Sequence, residues 1–503
     1  LTPPVRSTAD PGNAWALVAF LAIATVFVHI LTGDRYGFQR DELATLEDAR
    51  HLAWGFVAYP PITPFFGRLS LELFGTSLRG FRFFAAIAEA GAVMLTGSMA
   101  RQLGGGRWAQ IVAAAAAIPF CLGGGALMQY VSFDYLCWVS TAYCVVRLLT
   151  SNDPRWWIAI GASIGFGMLS KYAIPFLVAG IVVGLLLTDA RRYLRSKWLW
   201  FGAAAAVLIC LPNLIWQAQN NFISLDFLRH IHARDVAQGR ARGFLPGQFK
   251  LTLLAAPLWI RGLRFYLVSR QGKPYRMLAW MYLVPLLLFV VAKGRDYYLA
   301  GTYPMLYAAG AVWAEARIGA LTASAVRIWR ASIWTALAVD AAIVAALALP
   351  IAPINSPWFR IANQANGDFR EEIGWPELVA TVAKIRDTLP SQDRTHIGIL
   401  GTNYGEAGAV NLYGPEYGLP GAISGVNSFW QRGYGNPPPQ VLIVVGLSRR
   451  ILNEKFDSCE VAARTWNRFG VANEETIEHP EIFVCRGLRQ TWPEFWKHFR
   501  YYG

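Results

Sequence analysis

Apolar stretches of membrane-spanning length recur through the first 350 residues of this chain, and they constrain its fold more than any other feature. A helix crosses a bilayer with about 20 mostly apolar residues. Eleven segments approach that length: 13–32, 80–100, 108–126, 133–150, 157–169, 172–188, 198–216, 249–268, 277–292, 298–315 and 331–350. The run 156–188 is too long for one span and breaks near Ser170-Lys171-Tyr172, so it reads as a hairpin. The segment near 249–268 carries Arg261 and Arg264, whose side chains can snorkel to the interface. The predicted fold class is mainly α: a polytopic transmembrane helical bundle of about 11 spans.

Composition agrees. Charged residues make up 16% of the chain, where soluble domains carry about 25%. The net charge is +14. No basic stripe or nucleic-acid motif accompanies it, so the charge is assigned to cytoplasmic loops rather than to nucleic-acid binding. Loops with Arg101/Arg107, Arg147/Arg155, Arg191/Arg192/Arg195/Lys197, Arg270/Lys273/Arg276 and Arg317/Arg327/Arg330 fall on one side. That side is read as cytoplasmic, together with the N-terminus. Arg6 precedes the first apolar run, which is long for a signal sequence and is read as a retained span.

Beyond Pro350 the composition changes. Residues 351–503 hold Pro, Gly, Asn and charge, with no further span. Short runs at His396–Gly401 and Val441–Gly446 alternate with helical patterns such as Trp375–Leu389, which predicts a small soluble α/β domain outside the cytoplasm. Residues 1–350 are then the membrane domain, with an external loop at 33–79. Cys459 and Cys485 lie in the exported part, where a disulfide is plausible. The other four cysteines fall in apolar segments, and no CxxC occurs.

The first external loop places Arg40-Asp41-Glu42-Leu43 soon after the first span, then Tyr59-Pro60-Pro61. A carboxylate against apolar surface can serve as a base. The same pair would suit the first turn of a helix, and the residues alone leave both readings open. Lys171, Lys293 and Arg295 sit near external span ends. Cations there either serve function or snorkel to headgroups. His230 and His232, two residues apart, do not share a helical face and read as a solvated loop rather than metal ligands.

The order of these motifs resembles the GT-C glycosyltransferases, in particular the protein mannosyltransferase-like and aminoarabinose-transferase-like enzymes of glycosyltransferase family 39. The likeness continues through Phe133-Asp134, Leu169-Ser170-Lys171-Tyr172, Asn213-Leu214-Ile215-Trp216-Gln217, Lys293-Gly294-Arg295-Asp296-Tyr297-Tyr298, Tyr303-Pro304 and Asn403-Tyr404-Gly405-Glu406. It covers almost the whole chain, and its strength lies in the order of the motifs rather than in any one of them.

The resemblance implies a polyprenyl-phosphate sugar donor and transfer to a lipid, glycan or protein acceptor on the outer face of a bacterial inner membrane. It implies Asp41 as base, with Glu42 completing the acidic pair and Asp134 as the second-loop carboxylate. A lipid phosphate leaves readily, so one carboxylate that deprotonates the acceptor hydroxyl suffices, and the anomeric configuration inverts. Glycosidases, by contrast, work with two carboxylates at a set separation. Arg40, Lys171, Lys293 and Arg295 are the candidates for the donor phosphate, and Tyr59, Tyr297 and Tyr298 for the sugar pocket. No obligatory cofactor is expected; a divalent cation is the one group left open. No Asp-x-Asp occurs anywhere, which disfavours a metal-dependent sugar-nucleotide transferase. Two rivals differ in kind. A lipid-carrier flippase would work without Asp41, and a scaffold protein would keep its function in the part beyond Pro350 alone.

Overall fold

The computed structural model describes residues 12–503, so Arg6 lies outside the described residues. Seven helices among the described residues are long and apolar enough to cross a membrane, or eight if one bent pair counts as a span. The chain is a multi-pass membrane protein. In order, the membrane half contains α1 (Trp15–Thr32), α2 (Arg40–Arg50), α3 (Ile62–Phe74), α4 (Leu78–Gln102), α5 (Arg107–Gly124), α6 (Tyr130–Ser151), α7 (Trp156–Met168) and α8 (Ile174–Leu187). It continues with α9 (Lys197–Gln219), α10 (Ile223–Ala237), α11 (Phe244–Thr252), α12 (Ala256–Val268), α13 (Arg276–Val291), α14 (Tyr303–Gly319) and α15 (Ala323–Ala348).

A helix covers each of the eleven expected segments, yet fewer reach full spanning character. α7 is 13 residues long. α8 bends by 102° into the 3-10 turn Asp189–Arg195. α14 is 17 residues long, and α6 carries Asp134 and Arg147 among its apolar residues. The hairpin expected at Lys171 is the break between α7 and α8. His230 and His232 lie on α10, a helix rather than the expected loop, because Ile223–Ala237 has no helix breaker.

Close backbone approach holds the bundle together. A Cβ on Gly262 of α12 would stand 2.0 Å from the Leu306 carbonyl oxygen of α14, and one on Gly310 would stand 2.0 Å from that of Leu258. Only glycine permits that spacing, the small-residue packing that membrane helices use where water cannot drive them together. The helix over 244–268 is interrupted at Leu253, which has φ +36°. Buried Asp340 of α15 meets this break, its Oδ2 accepting from the Ala255 amide at 3.2 Å. An amide freed inside a bilayer needs such a partner.

The part after α15 includes α16 (Pro357–Ala365), α17 (Trp375–Thr388), α18 (Ser391–Arg394), α19 (Tyr404–Tyr413), four further short helices and a five-stranded sheet. Its strands are β1 (Ile397–Gly401), β2 (Ala422–Ile423), β3 (Val441–Val445), β4 (Phe456–Arg464) and β5 (Glu481–Leu488), in the order β2-β1-β3-β5-β4. β1 runs parallel to β2 and β3, while β5 is antiparallel to β3 and β4. Every residue of β3 is buried, as a continuous apolar run in a sheet covered on both faces should be. Cys459 and Cys485 face each other on β4 and β5 and form a disulfide. This α/β part docks on the segment that follows α1, with α19 packed against α2.

Candidate active site

The acidic pair of the first loop divides at the start of α2. Gln39 caps this helix: its Oε1 accepts from the Asp41 amide at 2.6 Å, and its own amide donates to Glu42 Oε2 at 3.0 Å. This reciprocal capping box satisfies amides that a helix start otherwise leaves free. It also turns the two carboxylates in different directions.

Glu42 is fully buried and its oxygens are spoken for. Arg82 of α4 donates to Oε1 at 2.8 Å and to Oε2 at 2.6 Å, and the Met128 amide donates to Oε1 at 2.8 Å. Arg82 also donates to the Gly33 and Gly37 carbonyls and to Glu372 Oε2 at 3.1 Å. Glu42 therefore ties the first loop, α4 and the C-terminal part together, and its geometry gives it a structural task distinct from proton transfer. Asp41 is only half-buried. Its Oδ2 accepts from Gln129 Nε2 at 3.2 Å, and it forms no ion pair among the described residues.

Gln129 directly precedes α6, and α6 carries the next site residues. Tyr130 lies within electrostatic reach of Asp41, Tyr298 and Arg295. One turn on, Asp134 accepts from Trp138 Nε1 at 3.1 Å and lines a small cavity with Lys171, Tyr297, Tyr298 and Gly301. Asp134 is thus a buried helical residue rather than part of an external loop, because helix begins at Tyr130. Lys171, in the break after α7, holds its ammonium over three tyrosine rings: Tyr298 at 3.9 Å, Tyr297 at 4.8 Å and Tyr130 at 5.1 Å. Tyr59 donates to Asp48 Oδ2 at 2.7 Å, and its ring lies 6.2 Å from that of Tyr130.

The other expected cations have different neighbours. Arg40 pairs with Glu371 at 3.1 Å and with Glu474, and stacks over Tyr404. It faces the C-terminal part. Burial pushes the Glu371 carboxyl up to about 7, with Arg40 opposing and Asp41 and Asp368 adding to the rise. Arg295 is held in bidentate fashion by Asp235, at 2.7 and 3.0 Å, next to the turn that presents Tyr297 and Tyr298. Lys293 is exposed, with φ +49°. Asp41, Asp134, Lys171, Tyr59, Tyr297 and Tyr298 thus gather around the start of α6. Glu42 is sequestered, Arg40 and Arg295 are engaged by carboxylates, and Lys293 faces outward. No group of three or more His, Cys, Asp or Glu among the described residues is arranged to hold a metal ion.

Sequence reasoning missed Gln129, Tyr130, Arg82, Glu372 and Asp235. Tyr130 stands four residues before Asp134, close enough to have been found. Arg82 and Glu372 are 290 residues apart, and no local pattern links them.

The family model for dolichyl-phosphate-mannose-protein mannosyltransferase matches residues 58–216, which excludes Asp41. An undecaprenyl phosphate-alpha-4-amino-4-deoxy-L-arabinose arabinosyl transferase of Pseudomonas fluorescens is 26% identical over 242 residues, 44% of this chain and 42% of the relative. The lipid A galacturonosyltransferase RgtD of Rhizobium johnstonii is 25% identical over 305 residues, 57% of this chain and 62% of the relative. The chain thus spans about half the length of the curated relatives it matches. Crystal structures of ArnT from Cupriavidus metallidurans superpose over nearly the whole chain. The form bound to undecaprenyl phosphate gives a TM-score of 0.58 at 15% identity, covering 94% of this chain and 98% of that one. The apo form gives 0.60 at 14% identity, covering 93% and 98%. The chain has the ArnT-like GT-C fold, and in sequence it resembles the mannosyltransferase-like and aminoarabinose-transferase-like enzymes that its loop motifs suggested.

Proposed function

We propose that this chain is a membrane glycosyltransferase that moves a sugar from a polyprenyl phosphate to a hydroxyl of a lipid acceptor, on the outer face of a bacterial inner membrane. In this reading residues 1–350 form the membrane-embedded unit and residues 351–503 an extracytoplasmic domain. The Cys459–Cys485 disulfide supports that placement, since such bonds persist in oxidising compartments. The observation that carries the proposal is the shared start of α6. Through Gln129 and Tyr130 it links Asp41, a carboxylate in no ion pair among the described residues, to Lys171, a lysine in no ion pair that shares its cavity with Asp134.

The chemistry follows from that pairing. Lys171 holds the donor phosphate, and the surrounding tyrosine faces offset the cost of keeping an ammonium out of bulk water. Asp41 takes the proton of the acceptor hydroxyl while that oxygen bonds to the anomeric carbon. The bond from the anomeric carbon to the phosphate oxygen breaks, and the polyprenyl phosphate leaves with the electron pair. A single displacement of this kind inverts the anomeric centre. Asp134 and Trp138 shape the wall behind Lys171.

The test uses the purified chain with polyprenyl-phosphate-linked aminoarabinose or galacturonate as donor and extracted lipid A as acceptor. The wild type is expected to transfer one of these sugars. Asp41→Asn is expected to lose at least about 100-fold in kcat, the usual worth of a general base, while still binding undecaprenyl phosphate. Equal transfer by the two proteins would remove Asp41 from the role of base.

A further inference from the structure

Two adjacent carboxylates of the first loop meet two adjacent residues before α6. Glu42 accepts from the Met128 amide at 2.8 Å, and Asp41 accepts from the Gln129 side-chain amide at 3.2 Å. The first contact sets the register, because Glu42 is also pinned by Arg82. The second reaches the carboxylate that is left open. We infer that Gln129 is a positioning residue for the proposed transfer: it holds Oδ2 of Asp41 so that Oδ1 is presented to the acceptor.

Gln129 suits this task chemically. Its amide N–H is a neutral donor, so it orients a carboxylate without supplying the cation that would quench it as a base. It also stands at the N-cap of the helix that carries Tyr130 and Asp134. The base and the cavity that receives the donor are thereby referred to one rigid segment. A displacement of about 1 Å in such a frame can cost 100-fold in rate. The groups facing Asp41 from neighbouring elements are Arg40 on its own helix, Asp368 and Glu371 from the turn at Gly367–Glu372, Tyr404 from α19 and Tyr130 from α6. Of these, Tyr404 also has its hydroxyl within hydrogen-bonding influence of the Asp41 carboxylate, while the Gln129 side chain donates to its Oδ2 at 3.2 Å.

This inference rests on the proposed function, and the experiment separates the two. The full chain is compared as wild type, Asp41→Asn, Gln129→Leu and Gln129→Glu, with the donors and acceptor named above. Undecaprenyl phosphate binding serves as the check on folding. Gln129→Leu is expected to lower kcat about 10-fold or more, as for a lost hydrogen bond to a charged group, with donor KM within about twofold because the phosphate site is intact. A donor hydrogen bond favours the ionised carboxylate, so its loss should also move the acidic limb of kcat/KM to higher pH. Gln129→Glu, which keeps the size and adds a like charge, is expected to move that limb further. If Asp41→Asn is inactive while both Gln129 variants keep the wild-type kcat and acidic limb, the positioning role is wrong and the base assignment stands. If Asp41→Asn is as active as wild type, the proposed function itself fails, whatever Gln129 does.

Discussion

Lys171 Nζ sits 3.9 Å from the centre of the Tyr298 ring, and among the described residues it forms no ion pair. Aromatic faces attract a cation by about 0.5–2 kcal/mol, less than a buried charge needs for compensation. Asp134 shares the cavity with this ammonium, and in the proposed function the donor phosphate is the second anion that Lys171 meets there.

Lys171→Met is accordingly expected to weaken undecaprenyl phosphate binding by about 10- to 100-fold, the worth of a charged hydrogen bond. Lys171→Arg should recover only part of that loss, because a planar guanidinium does not fit a cage shaped around a compact ammonium. Binding of radiolabelled undecaprenyl phosphate to each purified variant measures both. Unchanged affinity in Lys171→Met would move the phosphate site elsewhere.

Arg82 pairs with two buried carboxylates, Glu42 and Glu372, and among the described residues no other cation forms an ion pair with either. Removing one partner of such a network leaves uncompensated charge and costs about 3–5 kcal/mol. Arg82→Met should therefore lower the thermal unfolding midpoint sharply. Adding Glu42→Gln and Glu372→Gln to the same chain should restore much of it, since no buried charge then lacks a partner. A triple variant no more stable than the single one would argue against this account.

Stability should also depend on pH through Glu406, which caps α19 from within. Its Oε2 accepts from the Thr402 and Asn403 amides, and burial, with the nearby Glu475 adding, pushes its carboxyl up to about 8. The folded chain thus binds this proton more readily than the unfolded chain does. The stabilisation is fully present below the ordinary glutamate value of 4.5 and is lost as the pH rises through about 8. The unfolding midpoint of the wild type is expected to fall between about pH 5 and pH 8.5. Glu406→Gln keeps an acceptor oxygen but no proton, and should show a shallower fall. Identical slopes in scans across that range would assign the dependence to other groups.

The approach of α19 to α2 gives a further prediction. A Cβ on Gly408 would stand 2.8 Å from Leu43 Cβ and 2.9 Å from the Leu43 carbonyl oxygen. Backbone cannot yield as a flexible side chain can, and overpacking of this kind costs about 1–3 kcal/mol. Gly408→Ala should push α2 away from the sheet domain and disturb Asp41, two residues before Leu43. The expected result is a lower kcat with undecaprenyl phosphate binding retained. A kcat equal to wild type would mean that the loop tolerates the shift.

Much of the fold was legible because it is written locally. The apolar runs, the break at Ser170-Lys171-Tyr172, the strands at 397–401 and 441–445 and the helix over 375–388 each follow from neighbouring residues. The number of full spans was less legible. Segments such as α7 and α8 are apolar throughout but shorter than a bilayer, and their lengths are settled by where the chain turns. Among site residues, Lys171 stood out as a cation inside an apolar stretch. Gln129 did not, because a glutamine carries no signal until its partner is known.

What the sequence determined by itself was a bundle of membrane helices, an α/β part after it, and an acidic pair in the loop after the first span. Only the tertiary structure decided which of Asp41 and Glu42 is open. The two are adjacent and chemically alike, so nothing local separates them. Glu42 is withdrawn by a guanidinium 40 residues away and an amide 86 residues away, whereas Asp41 accepts from the neutral Gln129 amide and forms no ion pair among the described residues. Charge and solvation at a side chain depend on what packs around it, and here those neighbours come from distant parts of the chain.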